Sequence, residues 1–179
     1  MSDGVYQKTV QSVDAALRSA FTGCLKIFES DLVHNPAQVK GWTTLHILEH
    51  ITLTNHFLLL LIKKFAKKAL KRAASQEIAP GESDLQRIEK IANDRTLHWQ
   101  SPEHMVPTGE KSIEEIKDAL LEQQTICIEL LDQLQHGEGS LAQINMSVAN
   151  LGKLDLYQWL FFLTQHMKRH IEQIRVLTA

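Results

Sequence analysis

Apolar positions recur at intervals of three and four over most of this 179-residue chain, and each such run ends at a recognisable stop. The first extends from about Val5 to Leu32 and puts Val10, Val13, Leu17, Phe21, Cys24, Phe28 and Leu32 on one helical face. His34-Asn35-Pro36 closes it, because the residue before a proline is pushed out of the helical region. After a link through Gly41, Thr43 is placed to cap a second helix reaching to about Ala74. Its stripe is Ile47, Ile51, Leu58, Ile62, Phe65 and Ala69, and Trp42 can close over Ile47 as a hydrophobic staple. A third helix opens on a capping box, Ser112 with Glu115, and follows Ile113, Ile116, Leu120, Cys127, Leu130 and Leu134 until Gly137 and Gly139 stop it. The last begins where Asp155 and Gln158 can satisfy each other's backbone N–H groups, stapled by Leu154 and Trp159. It carries Leu156, Leu160, Leu163, Met167, Ile171, Ile174 and Leu177 inward.

Between Ser75 and Lys111 the period breaks into Pro80-Gly81, a short helical piece near Leu85 to Ile91, and Trp99 with the stretch Ser101 to Gly109. A connection of that length in a compact domain is expected to be a structured crossover or a lid over a site. With no alternating strand pattern and no internal repeat, the expectation is one all-α domain over residues 1–179: a four-helix bundle with a long structured connection between helices two and three.

A formal charge of -2 gives no global field that calls for nucleic acid or a membrane surface. The distal half of helix two carries Lys63, Lys64, Lys67, Lys68, Lys71 and Arg72 without an acid, which reads as a solvated face. The longest purely apolar run, Phe57 to Ile62, is far short of the ~20 residues that span a bilayer. No apolar segment follows a basic start at the N-terminus, so the expectation is a soluble, cytoplasmic protein with no nucleic-acid or membrane partner. Cys24 and Cys127 both fall on apolar stripes and read as buried free thiols, which suits a reducing compartment.

Histidine is the residue that disturbs this picture. His166 and His170 lie on or beside the inward stripe of the last helix, where an imidazole still has to satisfy a lone pair and an N–H. Residues four apart stand one above the other on a helix, so such a pair can share a metal ion. A second pair with the same spacing, His46 and His50, opens helix two. His50 lies closer to the apolar stripe, whereas His46 rotates toward the lysine face and is the third residue after the cap, so it reads as a cap, a group behind the ligands or an extra ligand. His34, His56, His98, His104 and His136 read as surface or loop residues.

Trp42-Thr43 leading to Ile47-Leu48-Glu49-His50-Ile51, then Pro102-Glu103 with Pro107-Thr108-Gly109, then Leu151-Gly152-Lys153-Leu154 followed by Trp159 and His166-x-x-x-His170-x-x-Gln173-Ile174, resembles the DinB-like superfamily in order and spacing from about residue 40 onward. The resemblance implies a four-helix bundle, a homodimer, and a divalent metal held by His50, His166 and His170, with zinc or nickel first and iron or cobalt as alternatives. It also implies an enzyme that joins a low-molecular-weight thiol co-substrate to a small-molecule electrophile. A metal-dependent hydrolase, with Glu49 or Glu172 as base, and a non-catalytic metal-binding bundle are the alternatives. The name of the superfamily does not imply DNA repair.

Overall fold

The computed structural model describes residues 6–94, 96–97 and 100–177. Five helices account for most of them: α1 Gln7–Phe28, α2 Thr44–Ala73, the short α3 Gln86–Asn93, α4 Ile113–Gln133 and α5 Leu156–Val176. α1 and α2 each pack against both α4 and α5, so the four long helices form the expected bundle with α1 and α2 at opposite corners. All three expected caps are present. Thr43, Ser112 and Asp155 each accept from the backbone N–H three residues on, and the side chain at that position reaches back in return.

α5 is the axis of the molecule. From Leu156 to Met167 every residue is buried, because α1, α2 and α3 all lie against this helix. Tyr157 packs so closely on Gly139 that a Cβ there would come within 2.7 Å of its ring, and its hydroxyl donates to the Leu134 carbonyl while accepting from the Gly139 N–H. Glycine at 139 therefore permits a close approach and does not end a helix; α4 already stops at Gln133. α2 is long and apolar enough by composition to cross a membrane, but it lies between α4 and α5, and a buried core helix passes the same test.

The structure differs from the sequence reading in two further places. α1 ends at Phe28, not near Leu32, because Ser30 takes over: its hydroxyl accepts from Leu32 N–H and starts a single 3₁₀ turn over Asp31–His34. Two short strands, β1 Gln143–Met146 and β2 Gly152–Asp155, form an antiparallel hairpin in a chain expected to be all helical. Four-residue strands offer too little alternation to be seen against helical neighbours. Trp159 Nε1 donates to the Ile144 carbonyl, so the hairpin is tied to α5 at the point where β2 delivers the Asp155 cap. Trp42, just before the cap of α2, packs against the core and lies against the imidazole of His50, ring centroids 5.0 Å apart. The expected start of helix one at Val5, and the readings of His98 and Trp99, fall outside the described residues.

The long connection is a structured crossover. Glu82 accepts from Lys8 and Thr9 N–H at the uncapped start of α1, Ser83 donates to Asp155, and α3 packs on α5. Arg169 of α5 then donates to the carbonyls of Ile91, Asp94 and Leu97, holding the carboxyl end of α3 and the turn that follows it.

Candidate metal centre

Where α2 and α5 meet, three imidazoles converge. His50 comes from the second turn of α2, and His166 and His170 from successive turns of α5, with ring centroids 4.5 to 5.2 Å apart. One ring nitrogen from each lies within 4.8 Å of the other two. His50 and His166 are 3 % and 2 % exposed; His170 is partly covered and closes the group on its open side.

Their hydrogen bonds fix which nitrogen is free. His50 Nδ1 is 2.7 Å from the Met105 carbonyl, and a carbonyl only accepts, so neutral His50 carries its proton there and turns an Nε2 lone pair inward. His170 Nδ1 is likewise 2.8 Å from Gln173 Oε1, which leaves its Nε2 bare, 3.1 Å from Nε2 of His166. His166 Nδ1 is buried with no partner. If His166 Nε2 donates to His170, its Nδ1 lone pair is orphaned; if Nδ1 holds the proton, that N–H is orphaned and two lone pairs face each other. A cation among the three nitrogens removes the repulsion in the second arrangement. Three neutral nitrogen donors, two of them with the outer N–H anchored on oxygen, therefore suit a divalent metal.

Burial is the first cause that favours the neutral imidazoles. It lowers the pKa of His50 against the opposing hydrogen bond to Met105, and it drives that of His166 well down, helped by His170, His50 and Arg169. It takes His170 to about 3. For metal-free protein the sign follows: below about 6.5 the unfolded chain takes up protons that the fold refuses, so stability falls as pH drops toward the folded values. His170 alone contributes a loss of about 1 kcal/mol per pH unit over that window. Urea denaturation of chelator-treated protein at pH 7.5 and pH 5 measures it, and equal midpoints would contradict the assigned neutral group.

His46 is a cap. Its Nδ1 is 2.7 Å from Thr43 Oγ1 and within reach of the Thr43 N–H, while its Nε2 rests on Gly109, where a Cβ would come within 2.6 Å. Gly109 has φ +74, so both backbone and neighbour require glycine. Among the remaining histidines, His34, His56, His104 and His136 are exposed, as expected.

Glu49 is where sequence reasoning missed most. Considered as a base rotated away from the site, it is 1 % exposed, and its two oxygens accept from Thr108 N–H, the Thr108 hydroxyl and Gly109 N–H at 3.1, 3.0 and 2.9 Å. It clamps the loop whose preceding turn, Glu103–Met105, supplies the carbonyl to His50. A Glu beside a His at a helix start was the only signal, and its partners lie about sixty positions away. Glu172, the other candidate base, pairs with Arg175 on the outer face. Cys24 and Cys127 are buried, and burial pushes both thiols up to about 12.

On the open side a cavity of about 280 Å³ leads to His50 and His170 past Lys40, Trp42, Ser101 and Arg169. The bundle thus brings three inward histidines together beside an open approach, a group that could hold a divalent ion. The DinB superfamily model matches residues 14–174, and the chain belongs to that superfamily. No curated protein and no solved structure matches it.

Proposed function

We propose that the protein is a divalent-metal-dependent enzyme that joins a low-molecular-weight thiol to a small electrophile, with His50, His166 and His170 as metal ligands. The supporting observation is the pairing of a three-nitrogen group at the floor of an open cavity with thiols of the chain itself that are sealed in the core. A divalent ion held there supplies a Lewis acid that keeps an incoming thiol in its reactive anionic form near neutral pH. Three imidazoles suit zinc, nickel, iron or cobalt, and the resemblance puts zinc and nickel first.

The chain's own residues then have separable tasks. Met105 and Gln173 hold His50 and His170 in the tautomer that faces inward. Trp42 covers one side of the His50 ring, and Arg169 keeps the α3 turn in place at the mouth. The hydrolytic alternative has less support, because Glu49 is fully engaged by its loop, and Glu172 pairs with Arg175 and does not line the cavity at the histidines.

Purified protein, stripped with chelator and reloaded with zinc or nickel, is incubated with 1-chloro-2,4-dinitrobenzene and a panel of thiols that includes glutathione, cysteine and bacillithiol. Thiol-dependent conjugation, lost on chelation and restored by metal, is the expected result. Electrophile hydrolysis without thiol would transfer support to the hydrolase reading. A metal content of one per chain with silence across every thiol would leave a non-catalytic binding protein.

A further inference from the structure

Two cavities open side by side at the mouth of the site and share Val39, Lys40, Arg169 and Gln173. One, of about 280 Å³, reaches the histidines; the other, of about 310 Å³, runs past Ala92, Val176 and Leu177 along the end of α5. Lys40 stands on the boundary between them. It is carried by a turn in which Val39 and Trp42 exchange two backbone hydrogen bonds of 3.0 Å, with φ +50 at Lys40 and +85 at Gly41. Positive φ at both central positions is the pattern of a type I′ turn, which favours Asn or Asp followed by Gly. Gly41 meets that demand without strain. Lys40 does not: its Cβ is crowded in the left-handed region, and its side chain cannot bond its own backbone as Asn or Asp can. The turn has no use for a lysine, and the strain is held next to the site.

The surroundings indicate what the ammonium is for. Among the described residues that line the cavity at the histidines there is no carboxylate, and no described carboxylate pairs with Lys40. The other cation there, Arg169, is turned onto backbone carbonyls. Glu172 lines the second cavity, not the one at the histidines, and is held by Arg175. Lys40 is thus a positive charge at the entrance with no carboxylate in the cavity at the histidines and no ion-pair partner among the described residues, the one acid of the adjoining cavity being held by Arg175.

We infer that Lys40 is a specificity-determining residue that engages a carboxylate of the thiol co-substrate while its sulfur lies toward the histidines, the second cavity taking the remainder of the molecule. The inference rests on the thiol reading above. It selects anionic thiols over neutral ones of the same length.

Zinc-loaded protein is titrated calorimetrically with 3-mercaptopropionate, 3-mercaptopropan-1-ol and propionate, in wild type and in Lys40→Asn, a residue that tolerates the left-handed conformation. The acid is expected to bind about threefold to tenfold more tightly than the alcohol in wild type, the range of a solvent-accessible ion pair. In Lys40→Asn that preference is expected to vanish with the alcohol's affinity unchanged, while Tm rises by about 2–4 °C from relief of backbone strain. A lysine kept for the fold alone would give the opposite: lower Tm and an unaltered preference. Equal binding of acid and alcohol to wild type overturns the role of Lys40 and leaves the thiol reading standing. Propionate binding that depends on Lys40, with no gain from either sulfur, preserves the role of Lys40 and removes the thiol. Binding of none of the three overturns both.

Discussion

Replacing His166 with leucine is expected to weaken zinc binding by at least about 100-fold while making the metal-free protein more stable. The two effects have one cause. His166 is 2 % exposed, lies among Phe162, His50 and His170, and has a ring nitrogen with no partner. An unsatisfied buried polar atom costs about 1–3 kcal/mol, and a leucine of similar volume removes it without opening a large void. The expected gain is about 1–2 kcal/mol, or roughly 2–8 °C in Tm for a chain of this size. Competition with a fluorescent zinc chelator measures the first effect, and thermal melts in excess chelator the second. A variant that retains zinc at wild-type affinity would remove His166 from the site. One that melts lower without metal would mean that the imidazole is there for the core.

The second large effect is at Glu49. Its carboxylate takes three donors from Thr108 and Gly109, so Glu49→Gln turns an amide N–H toward a backbone N–H that can only donate, and Glu49→Ala removes the acceptor of all three. Losses of about 2–3 kcal/mol for Gln, and somewhat more for Ala, are expected from chemical or thermal denaturation. Freeing residues 107–109 also loosens the Met105 carbonyl from His50 Nδ1, and a ligand whose outer N–H loses its anchor typically loses 10- to 100-fold in metal affinity. Nitrogen chemical shifts of His50 distinguish this from simple destabilisation, because the tautomer with its proton on Nδ1 should lose population. Thr108→Val provides the contrast, since it removes one donor and spares the two backbone N–H groups. A destabilised Glu49→Gln that keeps both the tautomer and the metal affinity would confine Glu49 to holding the loop.

Much of this was legible in the chain. The capping boxes of α4 and α5 and the cap at Thr43 each lie within four residues of what they bond, so their geometry is written locally. Helical periodicity turned His166 and His170 inward and favoured His50 over His46, but joining the three in one group came from the resemblance to the DinB-like superfamily, and the structure brings them together. A cap was one of three roles that the sequence left open for His46, suggested by its distance to Thr43, and the structure selects it. The hairpin β1–β2 and the early end of α1 did not show, since the first is shorter than one period of a usable pattern and the second depends on a single hydroxyl.

By itself, then, the sequence determined whatever rests on short-range bonding and on the period of burial: four long amphipathic helices, the starting points of the last three, and the imidazoles that lean toward the interior. Only the tertiary structure decided what surrounds them. Glu49 finds its donors on the loop before α4, Met105 reaches back across the crossover to His50, Arg169 closes the turn after α3, and Lys40 is held at the mouth by a strained turn. Each of these joins positions far apart in the chain or depends on a backbone angle that its residue type disfavours. Hydrophobic spacing carries no information about either, because it records which side of an element is dry and not which distant group will meet it there.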